Sequence, residues 1–180
     1  MSEIQIPVFL FIYQLFGPGS YISGVTIFFA VWFPFITVIS ALIYELFIRD
    51  GSDTMRLITR IYLPPLIVLS CTELLKLAYP MGRPFAMLDI PPAIIVSDPF
   101  GAFPSTHAAF FSALAVTMYF CNPRIGKWFF GAALAIGFAR IGVGVHWPVD
   151  IIAGLAIGTS LGYVLEKIML LLWKERAPKC

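Results

Sequence analysis

Charge is what this chain has least of. Of its 180 residues, 12 are Lys or Arg and 10 are Asp or Glu. That is 12%, against about 25% in an ordinary soluble domain. Apolar residues make up 59%, and the mean hydropathy is +0.90. A single soluble core cannot hide that much apolar surface, which excludes a soluble globular enzyme. The net charge of +2 gives no reason to expect a nucleic-acid partner. Cysteine is also scarce. Cys71, Cys121 and Cys180 are odd in number and far apart, neither a disulfide framework nor a zinc pattern, and read as packing residues plus a tail thiol. The first apolar segment lacks a basic start and a clear small-residue cleavage site, so no removable signal peptide is expected. There is no internal repeat or second domain. The expectation is one integral membrane domain over residues 1–180.

What the chain has is long apolar runs. Ile4 to Phe16 is about 13 residues, short of the ~20 needed to span, and reads as an interfacial or re-entrant helix or a very short sixth span. Five longer runs follow. Val25 to Ile48 carries Pro34 as a kink, and Leu57 to Tyr79 carries Pro64-Pro65 as a bend. Pro104 to Cys121 is the third run. Lys127 to Val145 is the fourth, after a turn at Asn122-Pro123-Arg124, and Pro148 to Trp173 is the fifth. The expected fold is therefore all-α: a polytopic transmembrane bundle of five long spans with a short N-terminal helix. Between the second and third spans, Pro80 to Phe103 is a loop of 24 residues with five prolines. Loops this long are uncommon without a function; this one reads as a stiff cover.

Basic residues orient the bundle. With the turn after the first long span inside, nine of the twelve cations fall inside: Arg49, Arg56, Arg60, Arg124, Lys127, Lys167, Lys174, Arg176 and Lys179. Lys76, Arg83 and Arg140 stay outside, with both histidines, His107 and His146, and with Asp150. Arg140, His146 and Asp150 lie between two runs without charge, Trp128 to Phe138 and Ile151 to Leu165. Ionisable groups at such edges are costly and by default functional. Three cations gathered at the outer face suit an anion site, since Arg and Lys clusters are the usual phosphate receptors.

Three short patterns converge on that face. Lys76, six residues, then Arg83-Pro84 is the first. Pro104-Ser105-Thr106-His107 is the second. Arg140, five residues, His146, three residues, Asp150 is the third. Together they resemble the signature motifs of the type 2 phosphatidic acid phosphatase superfamily: Lys-x6-Arg-Pro, Pro-Ser-Gly-His and Ser-Arg-x5-His-x3-Asp. The chain departs twice, with Thr106 in place of Gly and Ala139 in place of Ser. Thr106 still offers its backbone N–H but narrows the pocket, and Ala139 loses one hydroxyl contact.

The resemblance implies a membrane lipid phosphatase that uses no metal, and two histidines with scattered carboxylates form no evident metal site. It implies catalytic roles that the chemistry supports. His146 attacks phosphorus as a neutral imidazole and becomes phosphohistidine. Asp150, in the first turn of the helix begun by Trp147-Pro148, reaches back to fix its tautomer. His107 protonates the leaving oxygen and later activates water. Lys76, Arg83 and Arg140 hold the phosphoryl oxygens, and Ser105 and Thr106 complete an anion nest at a helix start. Plainer roles exist beside these. Lys76 and Glu73 suit an i,i+3 ion pair with Glu73 as counter-ion, and Ser105 suits a helix N-cap. Trp32, Trp128, Trp147 and Trp173 suit an interface belt. Gly137, Gly142, Gly144, Gly154 and Gly158 suit close helix packing.

The compact layout is similar to small bacterial enzymes that convert undecaprenyl pyrophosphate to undecaprenyl phosphate. That implies a bacterial inner-membrane protein with its site facing the periplasm and a lipid phosphate or pyrophosphate as substrate. Lipid A, phosphatidylglycerophosphate and phosphatidate phosphatases share the motifs. A non-catalytic lipid-phosphate transporter or binding protein would also want outer-face cations, but not two histidines and an aspartate. Oligomeric state is not legible.

Overall fold

The computed structural model describes residues 4–48 and 54–172, and those residues are helix and loop throughout. Seven helices follow in order. Helix α1 is Gln5–Phe16. Helix α2 (23–48) is continuous but not uniform: Ser23–Ile27 and Phe33–Ile43 are α-helical, while Phe28–Trp32 and Tyr44–Ile48 are π-helical. Then come α3 (Thr54–Ala78), α4 (Pro84–Met87), α5 (Thr106–Cys121), α6 (Pro123–Gly142) and α7 (Pro148–Leu172). The π-helical stretch ahead of Pro34 widens the backbone where the proline ring would crowd the preceding turn. Helix α3 runs on through Pro64 and Pro65.

Among the described residues, four helices are long and apolar enough to cross a membrane: Ser23–Leu46, Ile58–Ala78, Pro123–Gly142 and Pro148–Leu172. The chain is an integral membrane protein, but the expected count of five long spans is not confirmed. The anticipated third span, α5, has 16 residues, about 24 Å at 1.5 Å per residue, short of the ~30 Å hydrocarbon layer. It is the central helix. It packs against α3, α6 and α7, and eleven of its residues are buried. A helix wrapped by its neighbours can be short, because protein rather than lipid meets its ends. Glycines on α7 let it come this close. A Cβ on Gly154 would lie 2.5 Å from the Ser105 carbonyl, and one on Gly158 would lie 2.1 Å from that of Ala109.

Other expectations also change. Pro123 opens α6 instead of standing in a turn, because the Asn122 side chain caps the helix, accepting from the N–H groups of Arg124 (3.0 Å) and Ile125 (3.4 Å). At its other end α6 stops at Gly142, three residues before Val145. Cys71 is a free thiol. Trp32 and Trp128 are exposed on the bundle surface, whereas Trp147 is fully buried and is not a belt residue. Trp173 lies outside the described residues, as do Arg49, Lys174, Arg176, Lys179 and the side chain of Arg56.

Candidate active site

The linker between α6 and α7 is a tight reversal. The Gly144 N–H donates to the Ile141 carbonyl (2.9 Å) and that of Val145 to the Arg140 carbonyl (3.3 Å). Gly144 has φ +85, a left-handed conformation that glycine enters without a Cβ penalty. A Cβ there would also press on the Tyr13 ring at 3.0 Å. This reversal carries His146 into the protein, where it is 2% exposed.

His146 is held from both sides. Its Nδ1 is 2.9 Å from the Ala102 carbonyl and 3.5 Å from Asp150 Oδ2. A carbonyl can only accept, so Nδ1 carries the proton and Nε2 keeps its lone pair. Asp150 is thus the more distant partner. Its Oδ2 takes a 2.7 Å hydrogen bond from the Trp147 N–H, which fixes the carboxylate at the start of α7. The Ala102 carbonyl has no signature in sequence, because any residue supplies one. Burial first, then the charges of Arg140 and Arg83, with His107 and Lys76 adding to them, hold the His146 pKa well below its ordinary value. These surroundings favour the neutral imidazole.

One cation stands at Nε2, and Arg140 and Lys76 are near enough to act on the imidazole by charge. Arg83 Nη1 is 3.5 Å from Nε2 and donates to the Val145 carbonyl at 3.1 Å. Burial lowers the Arg83 pKa, opposed by Asp98, Asp150 and Glu73; a guanidinium still stays charged near neutrality. Arg140 ends α6 and is buried. The Nε donors of both Arg83 and Arg140 are buried without an acceptor in the protein. Such donors are costly to leave unmet, about 1–3 kcal/mol each or more when charged, and they suit an incoming anion.

Lys76 lies over Gly101, its Cδ 3.7 Å from where a Cβ would sit, and its Nζ is 2.9 Å from Glu73 Oε1. The plain ion pair is therefore present. Ser105 is buried and serves as N-cap of α5, its Oγ 3.5 Å from the Ala108 N–H. Its own N–H donates to the Asp150 carbonyl at 3.1 Å, tying the starts of α5 and α7 together. Thr106 follows, its hydroxyl donating to Glu73 at 2.6 Å. His107 comes next in the first turn and faces a cavity of about 380 Å³. Arg140, Thr106 and His107 form its polar end; Ala30, Val31, Pro34, Phe35 and Val38 of α2, Leu69 of α3, and Phe110 and Phe111 of α5 form the rest.

The surrounding loop is pinned rather than loose. Arg83 N–H donates to the Pro99 carbonyl, Ala102 to Met81, Phe85 to Gly144 and Ala93 to Val143, all within 3.2 Å. Helix α1 braces the same region. Phe9, fully buried, packs on the Trp147 ring at 5.1 Å, and the Tyr13 hydroxyl donates to the Pro91 carbonyl. Trp147 Nε1 donates to the Gly82 carbonyl at 3.0 Å. Sequence reading found no such role for α1; its only signal was an apolar helix too short to cross a membrane.

Comparison with known proteins agrees with this layout. A family model, the PAP2 superfamily, matches residues 54–174. An undecaprenyl-diphosphatase of Sulfolobus acidocaldarius is 36% identical over 69 residues, 37% of this chain and 33% of that protein. Undecaprenyl-diphosphatase BcrC of Bacillus subtilis is 33% identical over 91 residues, 51% of this chain and 47% of that one. These alignments span a third to about half of the two relatives. A lipid A 1-phosphatase of Rhizobium etli is 43% identical over 63 residues, 33% of this chain and 25% of that one. The crystal structure of Aquifex aeolicus LpxE superposes with a TM-score of 0.66 at 26% identity, covering 93% of this chain and 96% of that one. With its three motifs on one end of the bundle and the family model matched over more than half its length, the chain belongs to the PAP2 superfamily.

Proposed function

We propose that this protein is a metal-independent lipid phosphatase that acts through a phosphohistidine on His146, with undecaprenyl pyrophosphate as its substrate. One observation carries the reading. Arg140, a guanidinium with an unmet donor that acts by charge on the buried neutral imidazole of His146, lines an otherwise apolar cavity together with His107 and Thr106. A phosphate fits the guanidinium, and only a phosphate on an apolar chain also fits the cavity.

His146 Nε2 attacks phosphorus in line, the P–N bond forming as the bond to the leaving oxygen breaks. His107 gives its proton to that oxygen. The Ala102 carbonyl and Asp150 stabilise the imidazolium through Nδ1–H. His107 then takes a proton from water, whose oxygen displaces Nε2, releasing inorganic phosphate and restoring the lone pair. Lys76, Arg83 and Arg140, with the α5 start at Ser105 and Thr106, hold the oxygens and offset their growing charge. The bias of basic residues supports a site at the outer leaflet of a bacterial inner membrane.

Similarity to two undecaprenyl-diphosphatases supports the substrate. A lipid A phosphatase is the second reading, supported by the shorter 43% match to lipid A 1-phosphatase. The test is phosphate release by the protein in detergent from undecaprenyl pyrophosphate, lipid A, phosphatidylglycerophosphate and phosphatidate. Fastest turnover of undecaprenyl pyrophosphate is expected. Preference for lipid A would select the second reading, and turnover of none would remove the enzyme. A transporter or binding protein would bind these lipids equally well after His146→Ala and would show no turnover to lose.

A further inference from the structure

One carboxylate oxygen joins two parts of the phosphate site. Glu73 Oε1 accepts from the Lys76 ammonium at 2.9 Å and from the Thr106 hydroxyl at 2.6 Å. Lys76 is one turn further along α3, but Thr106 belongs to another helix, where it begins α5 and directly precedes His107. The bridge therefore links a phosphate-binding cation to the helix start that carries the proton-transferring histidine. Charge assistance makes such bonds about twice as strong as neutral ones.

The other cations of the site are held differently. Arg83 is fixed by the Val145 carbonyl, and the Arg140 Nε has no partner. Lys76 has a flexible four-carbon stem, which alone would leave its ammonium free to wander. The tie from the head to Glu73 prevents that. An ammonium has three N–H donors, so two remain for phosphoryl oxygens. The Lys76 side chain is 14% exposed and that of Glu73 53%. The ammonium thus belongs to a mostly buried side chain and the carboxylate to a half-exposed one. A mere exposed ion pair between neighbours on one helix would contribute little. The Thr106 arm makes this one different, and a glycine at that position would have no hydroxyl to supply it.

We propose that Glu73 is a positioning residue for phosphoryl transfer, acting through Lys76 and Thr106 to hold the ammonium and the start of α5 in register. The inference rests on the phosphatase reading above. Its carboxylate also places a negative charge beside the Lys76 ammonium, so acceptor and charge have opposite effects. The acceptor aids the transition state; the charge opposes binding.

The test separates the two. Steady-state turnover of the best lipid phosphate is measured for Glu73→Gln, Glu73→Ala, Thr106→Val and the double variant Glu73→Ala/Thr106→Val, with thermal unfolding in detergent as the folding control. Glu73→Gln, which keeps an acceptor and loses the charge, should hold kcat within about threefold and lower KM. Glu73→Ala should lower kcat about tenfold or more through the freed ammonium. Thr106→Val should lower kcat about three- to tenfold, and the double variant should be little worse than Glu73→Ala, because both remove one bridge. Wild-type kcat and KM in Glu73→Ala, or losses that multiply in the double variant, would overturn the proposal. If Glu73→Ala fails to fold, Thr106→Val decides it, wild-type kcat there being the overturning result. A wild type that turns over no lipid removes the phosphatase reading and this inference together. An active wild type with unchanged variants removes this inference alone.

Discussion

Near the start of α3, Arg60 is buried against Glu166 of α7, its Nε 2.7 Å from Oε1. At the other end of the same bundle, Arg83 and Arg140 are also buried, but their Nε groups meet no acceptor. What differs is the source of the compensating charge: within the fold at Arg60, from more distant carboxylates at Arg83, and left to an incoming anion at Arg140. A buried ion pair costs most when one partner is removed, because the other is left as an uncompensated charge. An unpaired cation costs the fold while it is there, so removing it should cost chemistry and not stability.

The largest expected effect breaks the active end outright. His146→Ala should lower turnover by about four orders of magnitude or more, while vesicle binding of the lipid stays within a few fold. Surviving turnover would show that another residue is the nucleophile. Next is the paired end. Arg60→Ala should lower unfolding stability by about 3–5 kcal/mol, read by denaturation in detergent, with kcat per folded molecule unchanged. Replacing Arg60 and Glu166 together by Met and Leu should recover most of that loss. Arg140→Met should do the reverse, lowering kcat/KM about 10²–10³-fold with a thermal midpoint equal to or above the wild type. If Arg140→Met destabilises as much as Arg60→Ala, the contrast between the two ends is wrong.

The smallest effect is a pH dependence. His146 has its folded-state pKa well below its ordinary value of 6.5. Above that ordinary value neither state binds the proton, and the protein keeps its full stability. As pH falls below it the unfolded chain takes up a proton that the folded chain refuses. Stability then declines by at most about 1.4 kcal/mol per pH unit from this group. Comparing thermal midpoints of the wild type and His146→Ala from pH 7.5 to 5 isolates the contribution, since the variant lacks it.

Particular residues show how far the chain could be read unaided. Lys76 and Glu73 were legible as a pair, because three residues on a helix make one face. The Thr106 arm of that bridge was not, since it joins positions 33 apart. The spacing from His146 to Asp150 announced a partnership, but the nearer contact of Nδ1 is the Ala102 carbonyl, which no side chain advertises. Trp147 looked like any membrane tryptophan until Phe9 closed over it. The count of five long spans was not confirmed at α5, a shorter apolar helix sheathed by its neighbours.

Composition and residue order determined by themselves that the chain is a helical membrane protein, and that cations, imidazoles and a carboxylate recur at family spacing. Those properties reside in local chemistry and helical period, which need no partner. Tertiary structure decided which donors are satisfied and which stay open, how His146 is oriented, and where the apolar cavity meets the cations. Those depend on how backbone and side chains from α1 to α7 pack, and packing is set by contacts between residues far apart in the chain.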